Sequence, residues 1–300
     1  KRDWSSDVCS SDLEAFRNIG ICLRQQGKLT EALTWLDQSL NTSMSIKDQK
    51  NEAIIRLELG LLYENLGDYP KAREMYLTAL EYWEKVNNSS WLSNIMNNLG
   101  VLQHLMGDYR AAIDTFEKAL NHARSSNYTR LEAFILTGIG DIYGELEAAE
   151  EAEKAYTQAK LLSQSIQENF LQVYINVQDA ALIASSGDYR TANRLIEEAR
   201  RIAKLDNQAM EAYLCDLEGA GIKLREGKWK EAIPMLEDAC YYFDAEGHKV
   251  QAEKASLYLV IAYSRAGNQE KLMSHLVKIL SFMGSEFPPV SFIAVAYRFQ

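Results

Sequence analysis

Residues 53–87 carry a helical beat of apolar and polar positions. Ile55, Leu59, Leu62 and Leu66 recur at steps of three and four, which puts them on one face of a helix. Gly67-Asp68 then interrupts the pattern, and a glycine just past a helix end accepts the left-handed conformation that closes it. A second periodic stretch follows with Ala72, Met75, Tyr76, Ala79, Leu80 and Trp83, and it ends at the polar loop "NNSS", residues 87–90. The pattern predicts two helices of about 16 residues, each roughly 25 Å long. No strand-like alternation of useful length occurs anywhere in the chain.

The interrupting phrase returns. "GDYPKA" at 67–72 is echoed by "GDYRAA" at 107–112 and "GDYRTA" at 187–192. Looser copies are "GKLTEA" at 27–32, "GKWKEA" at 227–232 and "GNQEKL" at 267–272. Gly27, Gly67, Gly107, Gly187, Gly227 and Gly267 are therefore spaced by 40 residues or its double. The missing member falls on Glu147, yet Ala152 keeps the place held elsewhere by Ala32, Ala72, Ala112, Ala192 and Ala232. A fixed period in this range means stacked supersecondary units. Seven repeats are expected, unbroken at the fourth but with an altered turn there.

Small residues mark the helix contacts. Gly20, Gly60, Gly100 and Gly140 stand in the first helices, seven residues before the turn position. A mid-helix glycine costs about 1 kcal/mol relative to alanine, so close approach of another helix is expected there. Large aromatics follow the second-helix alanines at Tyr76, Phe116 and Tyr156, and then come Ala79, Ala119 and Ala159.

This order, L-G-x-x-Y…A-x-x-x-F…A, resembles the tetratricopeptide repeat. Leu59-Gly60, Tyr63, Ala72, Tyr76 and Ala79 match it best. Leu99-Gly100, Ala112, Phe116 and Ala119 follow it with Gln103 where Tyr is usual, and Gly140, Tyr143, Ala152, Tyr156 and Ala159 follow it again. Later repeats have Ala180, Ala220 and Val260 in place of the first glycine. The resemblance covers about residues 13–283. The usual repeat has 34 residues and a proline near its end; here the period is six longer and that proline is missing, which suggests an extended second helix. Such long-period arrays are similar to kinesin light chain, to peptide-sensing regulators of Gram-positive bacteria and, in overall texture most of all, to the sensor arm of maltose-regulon-activator-type transcription factors. The fold implied is all-α, a right-handed α-solenoid of about seven helix-turn-helix repeats.

The ends of the chain read differently. "KRDWSSDVCSSDL" fits no repeat, and one codon choice for Asp3–Leu13 spells what looks like a common short-read sequencing adapter. Residues 1–12 are expected to be a translated scar without defined packing, with natural sequence lost upstream. Residues 13–283 are expected to form the array and residues 284–300 to begin a further, truncated helix. That last stretch is apolar nearly all round, with Phe292, Ile293, Val295, Tyr297 and Phe299, so more chain or a partner is expected beyond it.

Composition narrows the function. The chain has a hydrophobic fraction of 47% with 25% charged residues, ordinary for a well-packed protein. Its formal charge is −10, which argues against a general nucleic-acid surface. No apolar run approaches the ~20 residues of a membrane helix. Apart from Cys9 in the scar, Cys22, Cys215 and Cys240 form no paired or zinc-type spacing, so packing roles and a reducing, cytoplasmic location are expected. His104, His122, His248 and His275 form no H-E-x-x-H or His/carboxylate cluster. "GIGDIYG" at 138–144 lacks the spacing and the preceding strand of a phosphate loop, and Gly140 already has a packing role. No catalytic group, metal or cofactor is therefore expected.

What remains is a partner-binding module or the regulatory arm of a larger bacterial signalling ATPase or transcription activator. The tetratricopeptide resemblance implies that first helices line a concave groove. Its groove positions fall on Asn18, Asn94, Asn97, Asn98, His104, Asp141, Tyr174 and Gln178. Asn18, Asn98 and Gln178 share the position where related arrays use an amide ladder to hold an extended backbone. Amides both donate and accept, so they suit a protein or peptide segment without demanding one sequence.

Overall fold

The computed structural model describes residues 4–283, and every element in them is helical. The helices are α1 (Trp4–Gln25), α2 (Leu29–Ser45), α3 (Gln49–Asn65), α4 (Tyr69–Val86), α5 (Ser89–Leu105), α6 (Tyr109–Ser125) and α7 (Thr129–Glu145). They continue as α8 (Ala149–Ser165), α9 (Asn169–Ser185), α10 (Tyr189–Leu205), α11 (Ala209–Arg225), α12 (Trp229–Ala245), α13 (Lys249–Ala266) and α14 (Gln269–Met283). The expected further helix at 284–300 lies outside the described residues. Helix α1 reaches back to Trp4, through the segment set aside as a scar. Extending a helix already nucleated by packed residues costs little, whatever the residues added.

The recurring "GDY" phrase is one hinge made of three parts. Gly67 takes φ +75° and closes α3: its N–H donates to Glu64 O and the Asp68 N–H to Tyr63 O, satisfying two orphan carbonyls. The Asp68 carboxylate then accepts from the Lys71 N–H and caps α4, which begins at Tyr69. Asp108 and Asp188 cap α6 and α10 in the same way.

The second link of each repeat is the same hinge, a correction to the polar loop expected from "NNSS". Asn87 sits at φ 54° and Asn88 caps α5 through the Trp91 N–H. Lys47, Asn127, Gln167 and Asn207 occupy equivalent left-handed positions. Turns thus recur every half period, and the long period comes from lengthening both helices, not the second alone. Glu147 also corrects an expectation. It holds φ 59° and its turn keeps the standard bonds, Glu147 N–H to Gly144 O and Ala148 N–H to Tyr143 O. The turn is unaltered, and α7 and α8 meet there without a linker.

Two compact units divide the chain between Leu131 and Glu132. In the first, α1–α2, α3–α4 and α5–α6 form helical hairpins, and α3 also touches both α1 and α5. First helices are the inner layer: from residue 51 to 64 of α3 no side chain is fully exposed, whereas α4 exposes Arg73, Glu74, Leu77 and Glu81. Helix α1 differs, with Ile19 and Cys22 exposed where Leu59 and Leu62 of α3 are buried. The second helix of the preceding repeat covers that face of α3 and α5.

In the second unit α7–α14 repeat the hairpin plan, and α11 touches α9 and α13. The alanines at 32, 72, 112, 152, 192 and 232 are all completely buried, as their spacing predicts.

The mid-helix glycines do mark close approach, but by a side chain. A Cβ at Gly60 would lie 2.3 Å from Tyr76 Cε1, one at Gly100 2.7 Å from Phe116 Cδ1, and one at Gly140 2.5 Å from Tyr156 Cε1. Each glycine is a notch into which the ring of its own hairpin partner fits. Ring burial of this kind is worth several kcal/mol, more than the glycine costs.

Candidate functional site

The polar groups of the first helices fall into two sets, one in each unit. In the first unit, Asn94, Asn97, Asn98 and His104 all belong to α5 and are half-buried. Asn94 Nδ2 donates to Ser90 O one turn back at 3.0 Å, and Asn97 Nδ2 donates to Asn98 Oδ1 at 3.3 Å. The carbonyls of Asn94 and Asn97 and the amide nitrogen of Asn98 keep unused capacity among the described residues. His104 sits in the last turn of α5, with its ring 5.7 Å from that of Tyr109. Asn18 is exposed on α1.

Sequence reasoning missed the charged links between α1 and α3. Arg17 Nη1 donates to Asn51 Oδ1 at 3.1 Å, and Arg24 Nη2 to Glu58 Oε2 at 3.4 Å. Burial pushes the Glu58 carboxyl above its usual range, and Arg24 opposes the shift. Both pairs are 34 residues apart, a period less about two helical turns, so a search for polar partners at that offset finds them.

In the second unit, Asp141 of α7 is a shared acceptor. Tyr156 Oη donates to its Oδ1 at 2.8 Å and Tyr174 Oη to its Oδ2 at 2.9 Å. Burial and then the Asp141 charge hold both phenols above the ordinary tyrosine range. Gln178 stands one turn further along α9 than Tyr174. Asp141 and Tyr174 are thus brought together, but they bind one another. Their first task is to join α7, α8 and α9.

The amide ladder is not continuous. Between Asn18, Asn98 and Gln178 the same position holds Glu58, Gly138 and then Glu218. Glu58 is tied to Arg24, and Glu218 is tied to Lys254 of α13. The uncommitted amides are therefore concentrated on α5.

Other chemistry stays in the background. Among the described residues, no group of three or more His, Cys, Asp or Glu is placed to hold a metal. Cys215 is buried, and burial pushes its thiol up to about 12, which suits a packing role. Gly140 of "GIGDIYG" lies inside α7 under the Tyr156 ring. No helix of the described residues is long and apolar enough to cross a membrane.

Comparison with known proteins fits this architecture. A family model for the tetratricopeptide repeat matches residues 51–125 and 91–160, so the chain carries tetratricopeptide repeats. Among curated proteins it is similar to the transcriptional activator NprA of Geobacillus stearothermophilus, 26% identical over 100 residues. That match takes in 33% of this chain and 25% of NprA, so the chain spans about a quarter of that relative. The fold is similar to the Rap conjugation gene regulator of plasmid pLS20, solved in complex with the Phr* peptide. There the TM-score is 0.73 at 12% identity, over 94% of this chain and 78% of that one. It is also similar to the signal transduction ATPase PH0952 of Pyrococcus horikoshii, which has a tetratricopeptide repeat sensor. There the TM-score is 0.65 at 17% identity, over 90% of this chain and 42% of that one.

Proposed function

We propose that the chain is a protein-interaction module that holds an extended peptide or partner segment on its first helices, with Asn94, Asn97 and Asn98 as the main contacts. The observation that carries this reading is the unused hydrogen-bonding capacity of three half-buried amides on α5. An extended segment presents alternating N–H and C=O groups, and an amide face answers both without reading side chains. The pLS20 regulator, of similar fold, is seen with a peptide, which supports the class of ligand. Asn18, His104 and Gln178 are secondary contacts, and Asp141 and Tyr174 act by fixing the local scaffold. The module needs no catalytic group and no cofactor.

A second reading concerns the parent protein. The likeness to NprA and to the PH0952 sensor favours a regulatory arm of a larger signalling ATPase or transcription activator. The two readings are compatible, since a sensor arm must bind something.

The test is a peptide-library screen on the full chain, repeated with Asn94→Ala/Asn98→Ala. The expected result is loss of about tenfold or more in affinity for the selected peptides, with an unchanged circular-dichroism melt. Unchanged affinity with an intact fold would remove α5 as the site.

A further inference from the structure

The outer face of the second unit carries a feature that the first-helix amides do not explain. Helix α10 exposes Arg190, Arg194, Arg201 and Lys204 along one stripe, at steps of four, seven and three. The stripe runs for about 21 Å at 1.5 Å per residue. Arg194 and Arg201 form no ion pair among the described residues, while the neighbouring Arg200 is anchored to Asp216 at 2.9 Å. This is a concentrated positive face on a chain whose formal charge is −10.

Apolar groups flank it. The three most exposed large apolar side chains among the described residues are Tyr241 at 78%, Leu205 at 69% and Leu161 at 63%. Leu161, Arg201 and Tyr241 are spaced by one period, so they hold equivalent positions on α8, α10 and α12. Leu205 lies one turn beyond Arg201 and lines a shallow depression of about 300 Å³ with Glu197, Arg200, Arg201 and Lys204.

We propose that the outer face of α8, α10 and α12 docks an acidic, amphipathic segment of a partner protein. Carboxylates of the segment face Arg194, Arg201 and Lys204, and its apolar side chains cover Leu205, Leu161 and Tyr241. Charge complementarity selects an acidic partner, and the flanking apolar groups select one with interspersed hydrophobic residues. Glu197, exposed within the stripe, leaves Arg194 on one side and Arg201 and Lys204 on the other as the positions that partner carboxylates reach. The proposal is independent of the α5 groove, because it uses only second helices.

The experiment uses the full chain and labelled synthetic probes of about 15 residues, read by fluorescence anisotropy. The probes are a helical peptide with Glu and Leu segregated on one face, its scrambled counterpart, oligoglutamate and a single-stranded oligonucleotide. The segregated peptide should bind at micromolar affinity, about tenfold tighter than the scrambled peptide or oligoglutamate. Arg194→Glu/Arg201→Glu should weaken it about tenfold and add no thermal destabilisation, since both residues are exposed. Leu205→Ser/Tyr241→Ser should weaken it several-fold. Absence of micromolar binding, equal binding of oligoglutamate, or variants that bind like the parent each overturn the proposal. So does preference for the oligonucleotide. Self-association abolished by Arg194→Glu/Arg201→Glu would assign the face to a second copy and overturn it as well.

Discussion

The hairpins α3–α4, α5–α6 and α7–α8 and the hairpins α9–α10 and α11–α12 solve one packing problem in two ways. In the first group a glycine of the first helix receives an aromatic ring from the second: Gly60 with Tyr76, Gly100 with Phe116, Gly140 with Tyr156. In the second group the glycine becomes Ala180 or Ala220 and the ring becomes Ile196 or Leu236, packed in common clusters. The alanine methyl occupies the notch and a shorter aliphatic chain covers it, so volume is conserved across the contact. In α11 the notch has moved by one residue, and Gly221 receives Tyr258 from α13 instead. What recurs from repeat to repeat is a filled contact between the two helices, and the residues that fill it change in concert.

The hydroxyls show the same concerted change. Tyr76 donates to Glu64, three residues before the turn glycine. That position holds His104 beside Phe116, which has no hydroxyl, and Gly144 beside Tyr156. Tyr156 turns to Asp141 instead, because position 144 offers no side chain. A buried phenol must find an acceptor, and the acceptor need not come from the same place.

The largest test of the comparison removes a ring. Phe116→Ala should cost about 3–5 kcal/mol, because the notch at Gly100 becomes a cavity. Chemical denaturation or hydrogen exchange of α5–α6 measures it, and a loss below about 1 kcal/mol would show that the notch collapses.

Next comes the conversion of one solution into the other. Gly100→Ala should destabilise by about 1–3 kcal/mol through overpacking against Phe116, despite the better helix former. Gly100→Ala/Phe116→Leu should recover much of that loss, with a coupling above about 0.5 kcal/mol in the double-mutant cycle. Additive effects would mean that ring and notch are independent.

Two changes of about 1 kcal/mol follow, with opposite signs. Ala180→Gly removes the methyl without supplying a ring and should destabilise by about that amount, from helix propensity alone. Glu147→Gly should stabilise by about 1 kcal/mol, because an L-residue at φ 59° is strained where every other repeat has glycine. Thermal melts read both.

The smallest effect is a pH dependence confined to a hairpin whose tyrosine meets a half-buried glutamate. Burial raises the Glu64 carboxyl above its unfolded value, with Tyr76 only partly opposing it. The folded state then favours the protonated form, so this contribution is complete below the unfolded value and is lost as pH rises through the folded one. Glu64→Gln should flatten that segment of the melting-temperature profile. A parent–variant difference that stays constant with pH would show that Glu64 does not titrate in this way.

Much of the fold was open to sequence reasoning, since period, helix pairing and the buried alanines are one-dimensional facts. Gly67 and Asp68 announce a turn because they act on their own backbone. Glu147, Lys47 and Gln167 announce nothing: stacking on either side forces them into the left-handed region against their preference. Asn94, Asn97 and Asn98 were legible as polar positions on a first helix, and their spare bonds were not. The sequence by itself determined the beat of 40 residues, the all-helical hairpins and the need for something to fill each glycine notch, because local propensity and spacing act within one or two turns. Only the tertiary structure decided that the filler is the hairpin's own ring, that Asp141 is consumed by Tyr156 and Tyr174, and that Arg24 is paired with Glu58. Each of those depends on which side chain reaches across from a neighbouring helix, and reach is set by packing distance and not by position along the chain.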